Sequence, residues 1–191
     1  MLARLHELDA ITAGYVDKPG ANLVVRLLEV CMVSPDEWPK IREHPPLRGV
    51  TDRALFKPLL EPGARSAVFA LQSQSSKSYA GALALHFFYL NVGREGNSHL
   101  ARVEVPAWVA NDEAKLNSLH AVLIQQCQMM GSRPYPYLLH RAHETALVSL
   151  EEKEQVTQMI VLELHKRGIA VEERSYKQSS KDLVGRTRYR I

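Results

Sequence analysis

Two runs dense in aromatic and aliphatic side chains, ALALHFFYLNV at residues 82–92 and LARVEVP at residues 100–106, are separated only by GREGNSH. Strands rich in β-branched and aromatic residues and joined by so short a glycine-bearing loop can pair only side by side and antiparallel, so the segment predicts a β-hairpin. In the second run Ala101, Val103 and Val105 face one way and Arg102 and Glu104 the other. That alternation is the pattern of a half-covered sheet, and it requires helices to bury the apolar side.

The helices are legible around it. Asn111 or Asp112 caps a helix whose stripe is Leu116, Leu119, Leu123 and Cys127 and whose stop is Gly131. A last helix opens on Ser149 and Glu152 as a capping box and carries Val156, Ile160 and Leu164 at four-residue spacing up to Gly168. Nearer the start, residues 11–16 read as a short strand. The turn at Lys18, Pro19 and Gly20 then leads into a helix with Leu23, Val24, Leu27, Leu28 and Cys31 on its inner face. Four prolines make residues 34–46 a surface loop, and Thr51 caps a short helix that Pro58 interrupts. Residues 1–9 look like the end of a helix. These elements predict one α/β (α+β) domain built on a mixed sheet.

No apolar run approaches the roughly 18 residues that cross a bilayer. Arg4, His6, Glu7 and Asp9 interrupt the first residues, so no secretory signal is read there and a cytoplasmic location is expected. Cys31 and Cys127 lie in apolar helical patterns and are expected to be reduced, buried thiols. The formal charge is only +3, but in residues 174–191 Arg174, Lys177, Lys181, Arg186, Arg188 and Arg190 face Asp182 alone. Such a basic tail suits either a phosphate backbone, through counterion release, or a solvated terminus.

The chemistry concentrates at residues 133–146, RPYPYLLHRAHETA, which hold two phenols, two imidazoles, two guanidinium groups and a carboxylate. On a helix, His140 and His143 fall on one face, at a spacing that lets two imidazoles approach one metal. A zinc-protease helix needs a glutamate between its histidines, and here Glu144 follows the second. For a lone histidine, a core position with a satisfied hydrogen bond is the alternative.

The string PYPYLLHRAHETALVS resembles the C-terminal motif of the NurA nucleases. AGYVDKPGANLVVRLL, GVTDRALFKPLLEPGARSAVF and the hairpin with its sequel, HFFYLNV and LARVEVPAWVA, resemble further segments of that family in the same order. The resemblance implies an RNase H-like core, a homodimer, manganese (Mn2+) dependent 5′ to 3′ degradation of DNA, and partnership with a HerA-like hexameric ATPase at broken ends. It places the family's active-site tyrosine on Tyr135 and its histidine, catalytic and metal-binding, on His143. Lys18 resembles the family's lysine; with Arg133, Lys177, Lys181 and Arg186 it is expected to contact nucleic acid. The family's metal-binding carboxylates, including an Asp-Gly pair on the first strand, have no counterpart here. Asp17, Asp52, Glu104 and Glu144 are scattered. The chain is therefore expected to be the C-terminal portion of a NurA-like domain, incomplete and inactive alone. The alternative is a non-catalytic module that binds nucleic acid or the translocase through exposed apolar surface at residues 105–108.

Overall fold

The hairpin forms as the sequence predicts and becomes the centre of a four-stranded sheet. The structure is a computed structural model, and it describes residues 1–72, 78–146 and 150–169. Its elements are α1 (Leu2–Glu7), β1 (Gly14–Val16), α2 (Leu23–Met32), α3 (Asp52–Phe56), β2 (Phe69–Ala70), β3 (Leu85–Asn91), β4 (Leu100–Pro106), α4 (Ala107–Ala110), α5 (Glu113–Met129), α6 (Tyr137–Ala146) and α7 (Leu150–Lys166). The strand order is β1-β4-β3-β2. The expected α+β class is what the chain adopts. The mixed sheet is not: every described pairing, β1 with β4, β4 with β3 and β3 with β2, is antiparallel. Among the described residues no helical crossover returns a strand to lie parallel beside its predecessor.

The β3–β4 register sets Phe88 opposite Val103 and Tyr89 opposite Arg102. One face, with Phe88, Leu90, Val103 and Val105, packs on Val109 of α4 and on Leu116, Leu123 and Cys127 of α5. The other, with Phe87, Tyr89 and Leu100, packs on Val24 of α2 and Phe56 of α3. The sheet is thus covered on both sides, not one. Each large side chain taken fully out of water here contributes about 2 kcal/mol. At the hairpin's mouth Asn91 Oδ1 accepts from the amides of Gly93 and His99, both at 3.1 Å. Gly93 has no room for a side chain, since a Cβ there would lie 2.2 Å from the Asn97 carbonyl oxygen.

Buried Asp52 orients α2. Its carboxylate oxygens accept from the amides of Val24 (3.0 Å) and Val25 (2.8 Å) and from the Tyr89 hydroxyl (2.7 Å). A carboxylate at the positive end of a helix satisfies orphan N–H groups and meets the dipole favourably. So anchored, α2 buries Val24, Val25 and Glu29, and leaves Leu27 54% exposed and Cys31 exposed. Of the expected inner face, Val24 is buried and Leu23 packs on the same cluster, whereas Leu27, Leu28 and Cys31 are exposed, which corrects the expected buried Cys31 thiol: the Asp52 carboxylate at the helix start holds α2 with Val25 and Glu29 inward. Glu29 Oε1 accepts from the Leu47 amide at 3.0 Å and pins the proline-rich loop to the helix. That loop contains a 3-10 helix at Pro35–Lys40, regular structure that four prolines argue against. Its i→i+3 bonding accommodates Pro35 at the first position and Pro39 inside.

The chain divides into two compact units, residues 1–142 and 143–191. The first holds both apolar clusters. In the second, α7 leaves Val156, Met159, Ile160 and Leu162 more than half exposed. Ser149 of the expected capping box lies outside the described residues. No helix among the described residues is long and apolar enough to cross a membrane.

Candidate functional site

Tyr135 lies in the link between α5 and α6. Gly131 ends the α5 region with φ +65°, the left-handed conformation that glycine adopts freely. The Tyr135 amide then donates to the Arg133 carbonyl at 2.9 Å, Pro136 is buried, and the Pro136 carbonyl accepts from the His140 amide at 3.0 Å to start α6. The two prolines remove backbone donors and restrict φ, so this link has few alternative paths.

The half-buried Tyr135 ring meets Tyr15 edge-on, with centroids 5.7 Å apart at 87°. Tyr15 comes from β1, opposite Val103, and its hydroxyl lies 4.0 Å from the Sγ of buried Cys127. Just beyond the end of the strand, Asp17 Oδ1 is 2.9 Å from His99 Nε2. Strand β1, helix α5 and the proline link therefore gather Tyr15, Asp17, Cys127 and Tyr135. Burial pushes the Cys127 thiol up to about 11, and nearby Asp17 adds to the rise while the Tyr15 hydrogen bond opposes it. Burial also raises Tyr15 far above the usual phenol range, and Cys127 and Asp17 reinforce it. Both groups are protonated at neutral pH. Tyr15 is thus a neutral wall that fixes the Tyr135 ring, and sequence reading passed over it although it lies in a quoted family segment.

A test of this arrangement uses the thiols. Iodoacetamide at pH 8 is expected to modify exposed Cys31 and to spare Cys127 until the chain is unfolded; equal labelling of both in the native protein contradicts the packing. The folded state holds the Cys127 proton to higher pH than the unfolded chain, whose thiol ionises near its usual value of about 8.5. The stability is therefore full below that pH and falls as pH rises toward about 11.

Lys18 and Arg133 are exposed and make no ion pair among the described residues. His143 belongs to the second unit, is exposed on α6, and has no hydrogen-bond partner among the described residues. The core-histidine alternative is therefore not what the fold builds. Lys177, Lys181 and Arg186, with the rest of the basic tail, lie outside the described residues.

The scattered carboxylates stay scattered. Asp52 holds α2, Glu104 accepts from Arg102 at 2.7 Å, and Asp17 faces His99. Among the described residues no group of three or more histidine, cysteine, aspartate or glutamate side chains could hold a metal ion. Two metal ions beside a phosphodiester need several anionic ligands, so this donor set does not fit a two-metal centre. The surface expected at residues 105–108 is not exposed either: Val105 and Ala107 are buried, and Trp108 donates to the Ala10 carbonyl at 3.2 Å and meets the His6 ring at a tilt, with centroids 4.9 Å apart. Its apolar groups serve the core and α1.

The family comparison matches the NurA domain over residues 5–148. The chain belongs to the NurA domain family. NurA domains make up a family of DNA-acting nucleases that depend on divalent metal. The match spans both cores, the Tyr15–Tyr135 neighbourhood and α6. Comparison with curated proteins and with solved structures returned no match.

Proposed function

We propose that this NurA domain works, as a homodimer in the cytoplasm, in manganese-dependent 5′ to 3′ degradation of DNA at broken ends, driven by a HerA-like hexameric translocase. The observation that carries the reading is the NurA match over residues 5–148, which takes in Tyr135 and His143. In it Tyr135, steadied by Tyr15, donates a hydrogen bond to a phosphate oxygen. His143 transfers a proton to the leaving oxygen, and Lys18 and Arg133 neutralise backbone charge. No step is assigned to the ion, because the described residues do not form its site. The RNase H-like character of the core belongs to the same proposal.

That the carboxylates of the described residues are not gathered favours a second reading, a module that binds DNA or the translocase without cutting. The two separate in one assay, with DNA labelled at a single-stranded 5′ end, manganese or chelator, and a HerA-like hexamer present or absent. Manganese-dependent release of short labelled products by the assembly is expected, with binding but little cleavage by the 191-residue chain alone. Binding without cleavage in every arm overturns the nuclease reading and leaves the module.

A further inference from the structure

A cleft of about 660 Å3 opens between α2 and residues 41–49. Arg26 lines it from the helix and Arg42 and Arg48 from the loop. None of the three side chains makes an ion pair or hydrogen bond among the described residues, whereas those of Arg4, Arg65, Arg102 and Arg167 are each held by a neighbour. The one acidic residue in the lining is Glu29, an excess of two positive charges over three arginines. Its Oε1 is already engaged by the Leu47 amide, so Glu29 holds the two walls together. Asn22, at the N-cap of α2, makes no side-chain capping hydrogen bond and lines the same cleft. The helix end itself supplies nothing, since Asp52 takes the Val24 and Val25 amides.

Three unpartnered guanidinium groups on two walls that Glu29 joins concentrate positive charge and donors suited to oxyanions. We infer that this cleft binds the phosphate backbone of a DNA strand and holds it on the protein apart from the chemistry at Tyr135. The inference rests on the nuclease reading above for the identity of the anion. Sequence reading missed it because Arg26, Arg42 and Arg48 occur singly, one each on a helix, a loop and a turn.

The test is the salt dependence of binding of a labelled single-stranded oligonucleotide to the full chain. The combined variant Arg26→Gln/Arg42→Gln/Arg48→Gln is compared with Arg4→Gln/Arg53→Gln/Arg94→Gln, which removes the same charge elsewhere. Each phosphate contact on a single strand contributes about 0.7 to the log-log slope, so the cleft variant is expected to flatten it by about two units and the control by much less. Equal slopes in wild type and cleft variant, or equal flattening by both variants, overturn the inference. Should the triple variant melt early, Arg42→Gln alone is expected to remove about 0.7. Inorganic pyrophosphate is the second probe: if the cleft variant loses pyrophosphate binding while its DNA slope is unchanged, the DNA assignment is wrong. The cleavage assay above reports on the nuclease reading separately, since wild-type cleavage with an unchanged slope in the variant sinks only the cleft.

Discussion

Replacing His143 by alanine is expected to lower manganese-dependent cleavage by the assembled nuclease roughly 100- to 10,000-fold, the range spanned by a positioned general acid or base. The fold should not notice. His143 is exposed and makes no hydrogen bond among the described residues, and alanine is the better helix former at a position inside α6. Thermal melting is therefore expected to match wild type, and so is the salt slope of DNA binding. His143→Gln keeps a hydrogen-bonding amide but cannot carry a proton at neutral pH, so it should stay as inactive as the alanine variant. Cleavage retained within a few-fold in either variant removes His143 from the chemistry. A large drop in melting temperature for His143→Ala assigns it to structure instead.

Asp52→Ala is expected to destabilise the protein by about 4 kcal/mol, close to a thousandfold in the folding equilibrium. The substitution leaves the Val24 and Val25 amides and the Tyr89 hydroxyl without their acceptor in a site where Asp52 is 0% exposed. Each orphaned buried group costs about 1–3 kcal/mol, and α2 loses a charge at its positive end as well. Asp52→Asn keeps one acceptor oxygen and should lose about half as much. Urea titration measures this, with an unchanged m-value expected while unfolding remains two-state. The exposed Asp36→Ala serves as reference and should stay within about 0.5 kcal/mol of wild type. A loss below about 1 kcal/mol for Asp52→Ala contradicts the anchoring role of this carboxylate.

Local signals carried much of the fold. The hairpin, the Thr51 and Asp112 caps, the α5 stripe and the Gly131 stop depend on neighbours within one turn or one short loop, and each forms where the sequence places it. So does the order of segments that marks a NurA domain, because that order is a property of the chain itself.

What the sequence could not show depends on pairs far apart along it. Asp52 reads as a residue beside a helix cap, yet it sets the rotation of α2, turning Val25 and Glu29 inward and Leu27 and Cys31 outward. Tyr15 reads as one strand residue among several, yet it carries the ring against which Tyr135 rests. The three arginines of the cleft are separated by a helix and a proline-rich loop, and they share one space because Glu29 fastens that loop to α2. Periodicity reports which face of an element is apolar, but a buried carboxylate with three donors outweighs a leucine left in water, because three hydrogen bonds left unmet together in the core cost more than one exposed side chain. The sequence by itself determined the elements and the family; the tertiary structure decided how each helix is turned and which distant polar groups meet.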